Sequence, residues 1–188
     1  MQNIEVLKNI GVGKRCLLIG GGHSVKGFDF KRVPKDCIVI EINFPHITDC
    51  HVDYSLYYDC DVKAFWNDNK VNYLDRRIIG FITHKGASDY TYRYDQIVFG
   101  DSGFHGVQIA DSVMNFSEIY LIGYDYRTTE KSYHYYESES NDDKINRFKK
   151  WSIGIVKDRY NVYPFKNKVY QCTKDTDLTI FPYKPLCQ

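Results

Sequence analysis

Short, continuously apolar runs alternate along this chain with segments of helical periodicity. Three runs are clearest, at residues 15–20, 37–43 and 118–123, and each ends in a glycine or a polar residue. Strands that are apolar at successive positions, and not only at alternate ones, are buried on both faces, as in parallel sheets covered by helices. The pattern therefore predicts a Rossmann-like α/β fold with three α/β/α layers and a mostly parallel sheet, formed as one domain over residues 1–188.

Weaker patterns predict the remaining elements. Further strands are expected at residues 53–58, 77–83, 96–99, 162–165 and 168–171. A short helix is expected at residues 62–67, and longer helices are expected at 104–115 and 141–158, where apolar residues recur at helical spacing. The polar segment 128–143 is rich in Tyr, Ser and Glu, and it is predicted to be a mobile loop or lid.

The composition argues against several classes of protein. Lys and Arg total 25 against 24 Asp and Glu, a formal net charge of +1, which argues against a protein that wraps nucleic acid. No stretch reaches the roughly 18 apolar residues of a membrane span, and the N-terminus lacks the apolar core of a signal peptide. We therefore expect a cytoplasmic protein without a membrane span and without nucleic acid as a partner.

The cysteines and tyrosines are less informative. The six cysteines form no C-x-x-C pair, so no metal site is predicted. Cys16 and Cys37 lie in apolar runs, where a thiol behaves as a small hydrophobic group. The 17 tyrosines suit the recognition of a sugar or a base, and they equally suit the packing of a core. Composition leaves both uses open.

A glycine-rich turn follows the first long strand. Gly20, Gly21 and Gly22, with Ser24 just after them, stand at the carboxyl end of this strand, where open α/β sheets bind ligands. Glycines at such a place let backbone N–H groups approach a phosphate closely. The turn is neither a Walker loop nor a regular G-x-G-x-x-G motif. It therefore predicts either a nucleotide site or a purely structural tight turn.

Polar residues also stand at or beyond the ends of later elements. Asn43 ends the second strand, where it either binds a base or ribose or caps the following turn. Asp59 follows the third strand and suits a ribose hydroxyl, a metal ion or a helix N-terminus. Ser102, followed by Gly103, is a candidate N-cap of a helix whose end could hold an anion. His134, in the polar segment, is either an acid–base group or a histidine without a catalytic role.

Three of these blocks, in this order, resemble one family. Residues 19–30, followed by the strand that ends in Asn43, resemble the glycine-rich first block of bacterial lipooligosaccharide sialyltransferases, with its Gly-Asn-Gly-Pro-Ser loop and its strand ending in Asn. Residues 102–125 resemble that family's Ser-Gly helix and its strand ending in Gly-x-Asp. Flagellin-modifying motility accessory factors and archaeal hydroxymethylpterin diphosphokinase-like proteins have the same skeleton.

The resemblance implies roles for individual residues. The nucleotide-binding residues that it implies, with Gly21 in place of the family's Asn, are Gly20, Gly21, Gly22, Ser24, Asn43, Asp59, Ser102 and Gly103. Tyr133 matches a tyrosine that assists the leaving phosphate, and Arg127 stands where the family has a second such tyrosine. His134 resembles a loop histidine of the motility-factor branch.

Together these observations predict a transferase. The leading hypothesis is a sialyltransferase-like glycosyltransferase that uses a nucleotide sugar and displaces the nucleotide at the anomeric carbon. Tyr133 and Arg127 would offset charge on the leaving phosphate, and His134 would be the base for the acceptor. The expected partners are a nucleotide or nucleotide sugar and a glycan or small-molecule acceptor, and no cofactor is required.

Two alternatives stay open at this point. The first is a diphosphokinase-like transfer from a nucleoside triphosphate, which needs Mg²⁺ and carboxylates to hold it, with Asp59 and Asp125 as the available pair. The second is a non-catalytic module that binds a nucleotide or a sugar nucleotide. Strict dependence on Mg²⁺ distinguishes the first alternative, and saturable binding without turnover distinguishes the second.

Overall fold

The computed structural model describes residues 2–43, 50–57, 77–81, 90–92, 100–127 and 154–186, and the structural statements below refer to these residues. They contain one eight-stranded sheet in which every pair of neighbouring strands is parallel. The strands are β1 (Gln2–Asn3), β2 (Arg15–Ile19), β3 (Ile38–Ile42), β4 (Tyr54–Tyr57), β5 (Arg77–Phe81), β6 (Tyr90–Tyr92), β7 (Glu118–Ile122) and β8 (Lys168–Gln171). Their order across the sheet is β1-β6-β5-β4-β3-β2-β7-β8.

This order places a topological switch point between β2 and β7. From β2 the chain moves in one direction through β3, β4, β5 and β6, and it then returns to form β7 on the other side of β2. The crossover connections after β2 and after β7 therefore leave in opposite directions, which opens a crevice at the carboxyl ends of these two strands. Open α/β sheets bind their ligands at such a point. The glycine-rich turn follows β2 directly, so it lies at this edge of the sheet.

Helical segments lie on both faces of the sheet. On one face, α1 (Ser102–Gln108), its π-helical continuation Ile109–Val113 and α2 (Lys157–Val162) bury apolar side chains against Cys16 and Leu18 of β2. On the other face, the 3₁₀ segments His23–Gly27 and Phe30–Arg32 bury Val25 and Phe30 against Leu17 and Ile19 of the same strand. The predicted α/β class with a mostly parallel sheet is confirmed. None of the described helices is long and apolar enough to cross a membrane.

The predicted strands at 15–20, 37–43, 53–58, 77–83, 118–123 and 168–171 coincide with β2, β3, β4, β5, β7 and β8, with ends that differ by two residues or fewer. The predicted strand at 162–165 is wrong, because Val162 is the last residue of α2. Of the helix predicted at 141–158, residues 141–153 lie outside the described residues; the described part is helical and continues to Val162, and its Tyr160 packs edge-on against Phe104 with ring centroids 4.7 Å apart. The sequence patterns do not predict β1 and β6. The predictions at 62–67, 96–99 and 128–143 lie outside the described residues.

Tyrosines account for much of the core. Among the tyrosines in the described part of the chain, seven are buried: Tyr54, Tyr57, Tyr92, Tyr120, Tyr124, Tyr126 and Tyr160. Tyr160 stands at the centre of an aromatic cluster on the α1 side of the sheet, with the rings of Phe104, Tyr126, Phe165 and Phe181 around it. Of the two uses of tyrosine that the composition left open, core packing is therefore the one that these seven residues serve.

Two of the cysteines behave as the sequence predicts. Cys16 and Cys37 are buried free thiols, Cys16 in the middle of β2 and Cys37 just before β3. Burial raises the pKa of the Cys37 thiol to about 12 and that of Cys16 well above its ordinary value. Both thiols therefore stay protonated at neutral pH and pack as small apolar groups.

Candidate functional site

The loops after β2 and β7 are joined by backbone hydrogen bonds at the switch point. Gly20 N–H donates to the carbonyl of Ile122, and Gly22 N–H donates to the carbonyl of Gly123, both at 2.8 Å. The parallel pairing of the two strands thus continues beyond their ends. Because these two amides are satisfied within the protein, the amide of Gly21 is a better candidate for a ligand, and it has no acceptor among the described residues.

The glycines of this turn are needed because two backbones meet there. A Cβ atom on Gly20 would lie 2.5 Å from the carbonyl oxygen of Gly123, and one on Gly22 would lie 2.7 Å from the same oxygen. Gly123 has a φ of +74° and would place a Cβ 2.5 Å from the carbonyl oxygen of Gly20. Side chains at these positions would force the loops apart. The structure therefore assigns Gly20 and Gly22 a steric role; phosphate binding by this turn stays a prediction.

Ser24 and Asp125 form the second connection between the two loops. One carboxylate oxygen of Asp125 accepts the Ser24 N–H at 2.7 Å, and the other accepts the Ser24 hydroxyl. That hydroxyl in turn accepts the Gly123 N–H at 3.0 Å. Asp125 is only 3% exposed, and this burial raises the pKa of its carboxyl, while the bonds from Ser24 oppose the rise. Each oxygen is already engaged, so Asp125 holds the glycine-rich turn and is poorly disposed to bind a metal ion.

The burial of Asp125 predicts a specific pH dependence of stability. Because its pKa is raised in the folded state, this carboxyl favours folding most at low pH, and that contribution is lost as the pH rises through the folded-state pKa. We expect the free energy of unfolding of the wild type, relative to Asp125→Asn, to increase as the pH falls from 7 toward 4. Urea unfolding of both proteins at several pH values measures this difference.

Asp36→Asn is the matched control, because its ion pair with Arg15 lowers the pKa of the Asp36 carboxyl. Relative to this variant, the wild type is expected to keep its stability from pH 7 to about 5 and to lose it as the pH falls through about 4, a trend opposite in sign to that of Asp125. A difference between wild type and Asp125→Asn that is independent of pH, or that follows the trend of Asp36→Asn, would contradict the assignment of Asp125 as a desolvated carboxyl.

The residues on either side of Asp125 hold α1. The Tyr124 hydroxyl donates to the carbonyl of Gly103 at 3.2 Å, and the Tyr126 hydroxyl donates to the Asp101 carboxylate at 2.9 Å. Burial raises the pKa of both phenols well above the ordinary value, so the hydroxyls remain donors at neutral pH. Successive residues from 123 to 126 therefore bond alternately to Ser24 and to the start of α1. This segment connects two of the blocks that the sequence analysis singled out.

The N-cap of α1 is Asp101, and the prediction that Ser102 caps this helix is wrong. The Asp101 carboxylate accepts the Phe104 N–H at 2.8 Å, which is the usual reach of a capping side chain to the third residue of a helix. The helix consequently begins at Ser102, which is buried within its first turn. The adjacent Gly103 lies against Tyr124, because a Cβ there would be 3.1 Å from the Tyr124 ring.

A cleft of about 520 Å³ opens between the loops that follow β2, β7 and β8. Its walls are formed by His23, Ser24, Gly27, Phe28, Ile122, Asp125, Arg127, Cys172, Thr173 and Asp175. The guanidinium of Arg127 is ion-paired with two carboxylates, with Nε 2.6 Å from Asp177 and Nη1 against Asp175. The structure thus brings Arg127 to the same cleft as Ser24.

The other predicted site residues are not among those walls. Asn43 ends β3 with a φ of 72°, and its Oδ1 is buried without a hydrogen-bond partner in the described part of the chain. Ser102 and Gly103 lie on the α1 side of the sheet, behind Tyr124. The predicted roles of Asp59, Tyr133 and His134 concern positions outside the described residues, so these roles stay predictions.

The segment after β8 contributes to the cleft, although the sequence did not indicate any of its residues as site residues. It supplies three of the wall residues, Cys172, Thr173 and Asp175, and it carries Asp177, the second partner of Arg127. The available signal was a pair of aspartates, two residues apart, just beyond a predicted strand. In a parallel sheet the carboxyl ends of all strands meet at one edge, so this pair belongs with the other strand-end residues.

No protein-family model matches the sequence, and no curated protein matches it. Solved structures of sialyltransferases do match the fold. The sialyltransferase CST-II in complex with a trisaccharide acceptor and CMP has a TM-score of 0.59 and 14% identity, over 93% of this chain and 88% of that chain. CstII from Campylobacter jejuni with the substrate analogue CMP-3FNeuAc has a TM-score of 0.55 and 16% identity, over 93% and 88%. The monofunctional alpha-2,3-sialyltransferase Cst-I from Campylobacter jejuni has a TM-score of 0.60 and 17% identity, over 93% and 81%.

At these identities the matches show a shared fold. They agree with the sialyltransferase part of the resemblance drawn from the sequence blocks, and they do not support its hydroxymethylpterin diphosphokinase part. The fold is shared over most of both chains.

Proposed function

We propose that this protein is a nucleotide-sugar-dependent glycosyltransferase of the sialyltransferase type. The observation that carries the proposal is the match, over 93% of this chain, to the fold of a sialyltransferase whose structure contains CMP and an acceptor trisaccharide. The site supports it independently, because a cleft with a cationic side chain lies at the switch-point edge where such folds bind nucleotides.

In this proposal the donor binds at the carboxyl edge of the sheet. The Gly21 amide is the backbone donor of the turn that can bond a phosphate oxygen, since Gly20 and Gly22 N–H already bond the β7 loop. Arg127 supplies positive charge to the phosphate through its remaining N–H groups. Asn43, with its buried unsatisfied oxygen at the end of β3, binds the base, the ribose or the transferred sugar.

The chemical step is a displacement at the anomeric carbon. The acceptor hydroxyl loses its proton to His134 as its oxygen forms the new bond to that carbon, and the bond from the carbon to the phosphate oxygen breaks. The departing nucleotide takes the bonding electron pair as negative charge on phosphate. Arg127 and Tyr133 stabilise that charge as it develops, which lowers the barrier more than it strengthens ground-state binding.

A thermal-unfolding screen of nucleotides and nucleotide sugars, with and without Mg²⁺, tests the binding part of the proposal. A ligand that binds only the folded protein stabilises it by about 2.7 kcal/mol at one hundred times its Kd, so a true ligand gives a concentration-dependent rise in Tm. We expect such a rise with CMP, UDP or a nucleotide sugar in the absence of Mg²⁺. A rise only with a nucleoside triphosphate and Mg²⁺, or no rise with any of these compounds, would overturn the proposal.

A second experiment separates catalysis from binding. With the donor identified by the screen, His134→Ala is expected to lower kcat by two or more orders of magnitude while the Kd of the nucleotide changes less than about threefold. Isothermal titration and a turnover assay on the same preparations measure the two effects. Equal losses of binding and turnover would remove the role of His134 as the base, and saturable donor binding without wild-type turnover on any acceptor would identify a binding module.

A further inference from the structure

Arg127 is bonded by two carboxylates that differ in their surroundings. Asp177 lies in a fixed segment, because its own N–H donates to the carbonyl of Asp125 at 2.8 Å and the neighbouring Thr176 hydroxyl donates to the carbonyl of Tyr124 at 3.0 Å. Asp175 is 81% exposed, and its N–H bonds the Thr173 side chain two residues before it. One carboxylate is thus tied to the segment that carries Arg127, and the other stands in solvent.

The guanidinium keeps donors for a ligand. Its Nε bonds Asp177 at 2.6 Å and its Nη1 contacts Asp175, while no described residue accepts from Nη2. Arg127 itself is 43% exposed, and both it and Asp175 form part of the cleft wall. An anion that enters the cleft therefore meets Nη2 and the edge of the guanidinium that Asp175 occupies.

We propose that Asp177 is a positioning residue that orients Arg127, and that Asp175 is a counter-ion which the phosphate of the bound nucleotide replaces. This inference rests on the proposed function, in which Arg127 receives the leaving phosphate. The two aspartates thus have opposite roles although they are only two residues apart: Asp177 supports phosphate binding and Asp175 competes with it.

The charges of Arg127 and its two carboxylates favour such an exchange. Two carboxylates against one guanidinium leave a net charge of −1, which repels an incoming phosphate until one carboxylate withdraws. Withdrawal is easiest for Asp175, because an exposed carboxylate is already largely hydrated and its ion pair is weak. Asp177 can stay, since it bonds Nε and leaves Nη1 and Nη2 to form a two-point contact with phosphate.

The test compares CMP with cytidine, because the ratio of their dissociation constants isolates the contribution of the phosphate. Isothermal titration at low salt gives this ratio for the wild type and for Arg127→Gln, Asp175→Asn and Asp177→Asn. Asp36→Asn is the control, because it changes the net charge equally and breaks a similar exposed ion pair, with Arg15, at the amino end of β2. Circular dichroism and Tm confirm that each variant is folded.

We expect Arg127→Gln to reduce the cytidine-to-CMP ratio of dissociation constants by about tenfold or more. Asp175→Asn is expected to increase the ratio about threefold, and Asp177→Asn to reduce it about fivefold, with Asp36→Asn unchanged. Opposite effects of two Asp→Asn changes cannot arise from net charge alone. A higher salt concentration should diminish the gain from Asp175→Asn, because screening weakens the repulsion that this change removes.

The failures of this inference and of the proposed function are distinguishable. If the wild type binds CMP but Asp175→Asn and Asp177→Asn change the ratio in the same direction, or leave it unchanged, the inference is wrong and the proposed function stands. An Arg127→Gln variant with an unaltered ratio leads to the same conclusion. If neither CMP nor cytidine binds the wild type, the same ratio is measured with the nucleotide that the thermal screen identifies and its nucleoside. If no nucleotide or nucleotide sugar binds, the proposed function is wrong and the inference falls with it.

Discussion

Gly123→Ala is expected to destabilise the protein by about 4 kcal/mol. A φ of +74° costs an alanine about 1–2 kcal/mol, and the new Cβ would lie 2.5 Å from the carbonyl oxygen of Gly20, a backbone atom that cannot rotate away. Relief requires the loops after β2 and β7 to separate, which breaks the bond from Gly22 N–H to the Gly123 carbonyl. Chemical unfolding in urea measures the loss.

The variant Gly13→Ala separates the backbone strain of a positive φ from the steric clash between the two loops. Gly13 has the same φ of +74°, but no atom lies within 4 Å of the position that its Cβ would take. This variant is therefore expected to lose only the conformational part, about 1–2 kcal/mol. The excess loss in Gly123→Ala reports the contact between the two loops. Equal losses in the two variants would show that the loops do not meet closely at the switch point.

Gly123→Ala is also expected to weaken ligand binding in the cleft. Because the Gly20–Gly123 contact sets the spacing of the two loops that frame the cleft, Gly123→Ala should weaken the binding of whichever nucleotide the thermal screen identifies, even where the variant remains folded. Gly13 lies before β2, at the amino edge of the sheet, so Gly13→Ala should leave that affinity unchanged. Titration at a temperature where both variants are fully folded makes the comparison.

His105 is expected to make the protein sensitive to acid. It is fully buried in α1, with the ring of Tyr92 edge-on to it at a centroid distance of 5.9 Å, and burial lowers its pKa to about 4. A group whose pKa is lower in the folded than in the unfolded state favours unfolding once the unfolded chain takes up its proton. The titration of His105 therefore leaves the free energy of unfolding unchanged above pH 6.5 and lowers it as the pH falls to about 4, by about 3 kcal/mol.

The variant His105→Gln removes this titration while keeping a polar side chain. Guanidinium unfolding at pH 7, 5.5 and 4 should show that the stability of the wild type, relative to His105→Gln, falls by up to about 3 kcal/mol across this range. The trend is opposite in sign to that expected for Asp125→Asn, so the effects of the two buried groups on stability can be distinguished by their pH dependence. A constant difference between wild type and His105→Gln would mean that His105 is protonated equally in both states.

The predictions from sequence succeeded where the governing interactions are local. Residues 15–20 and 118–123 form β2 and β7 because a short, continuously apolar run in an α/β protein is buried as a strand covered on both faces. The glycine-rich turn was located for the same reason, since it follows the strand directly. The predicted cap of α1 is wrong by one residue: Asp101 and Ser102 are adjacent cap formers, and Asp101, whose carboxylate also accepts the Tyr126 hydroxyl, is the one that caps the helix.

The aromatic and acidic residues could not be interpreted in this way. Tyr160 serves the core because α2 packs against Phe104 of α1, a contact between residues more than fifty positions apart. Asp125, considered in the sequence as a metal ligand, is committed to Ser24, a hundred positions earlier. Neither partner is visible in the local pattern around these residues.

The sequence by itself thus determined the class of fold, the positions of the long strands and the place of the turn at a strand's carboxyl end, because burial and periodicity are properties of contiguous residues. Only the tertiary structure decided what the glycines and Arg127 contact. The strand order places β7 between β2 and β8, so the loop after β7 meets the glycine-rich turn on one side and the aspartates after β8 on the other. Those contacts follow from which strands are neighbours, and strand order depends on the packing of the whole sheet.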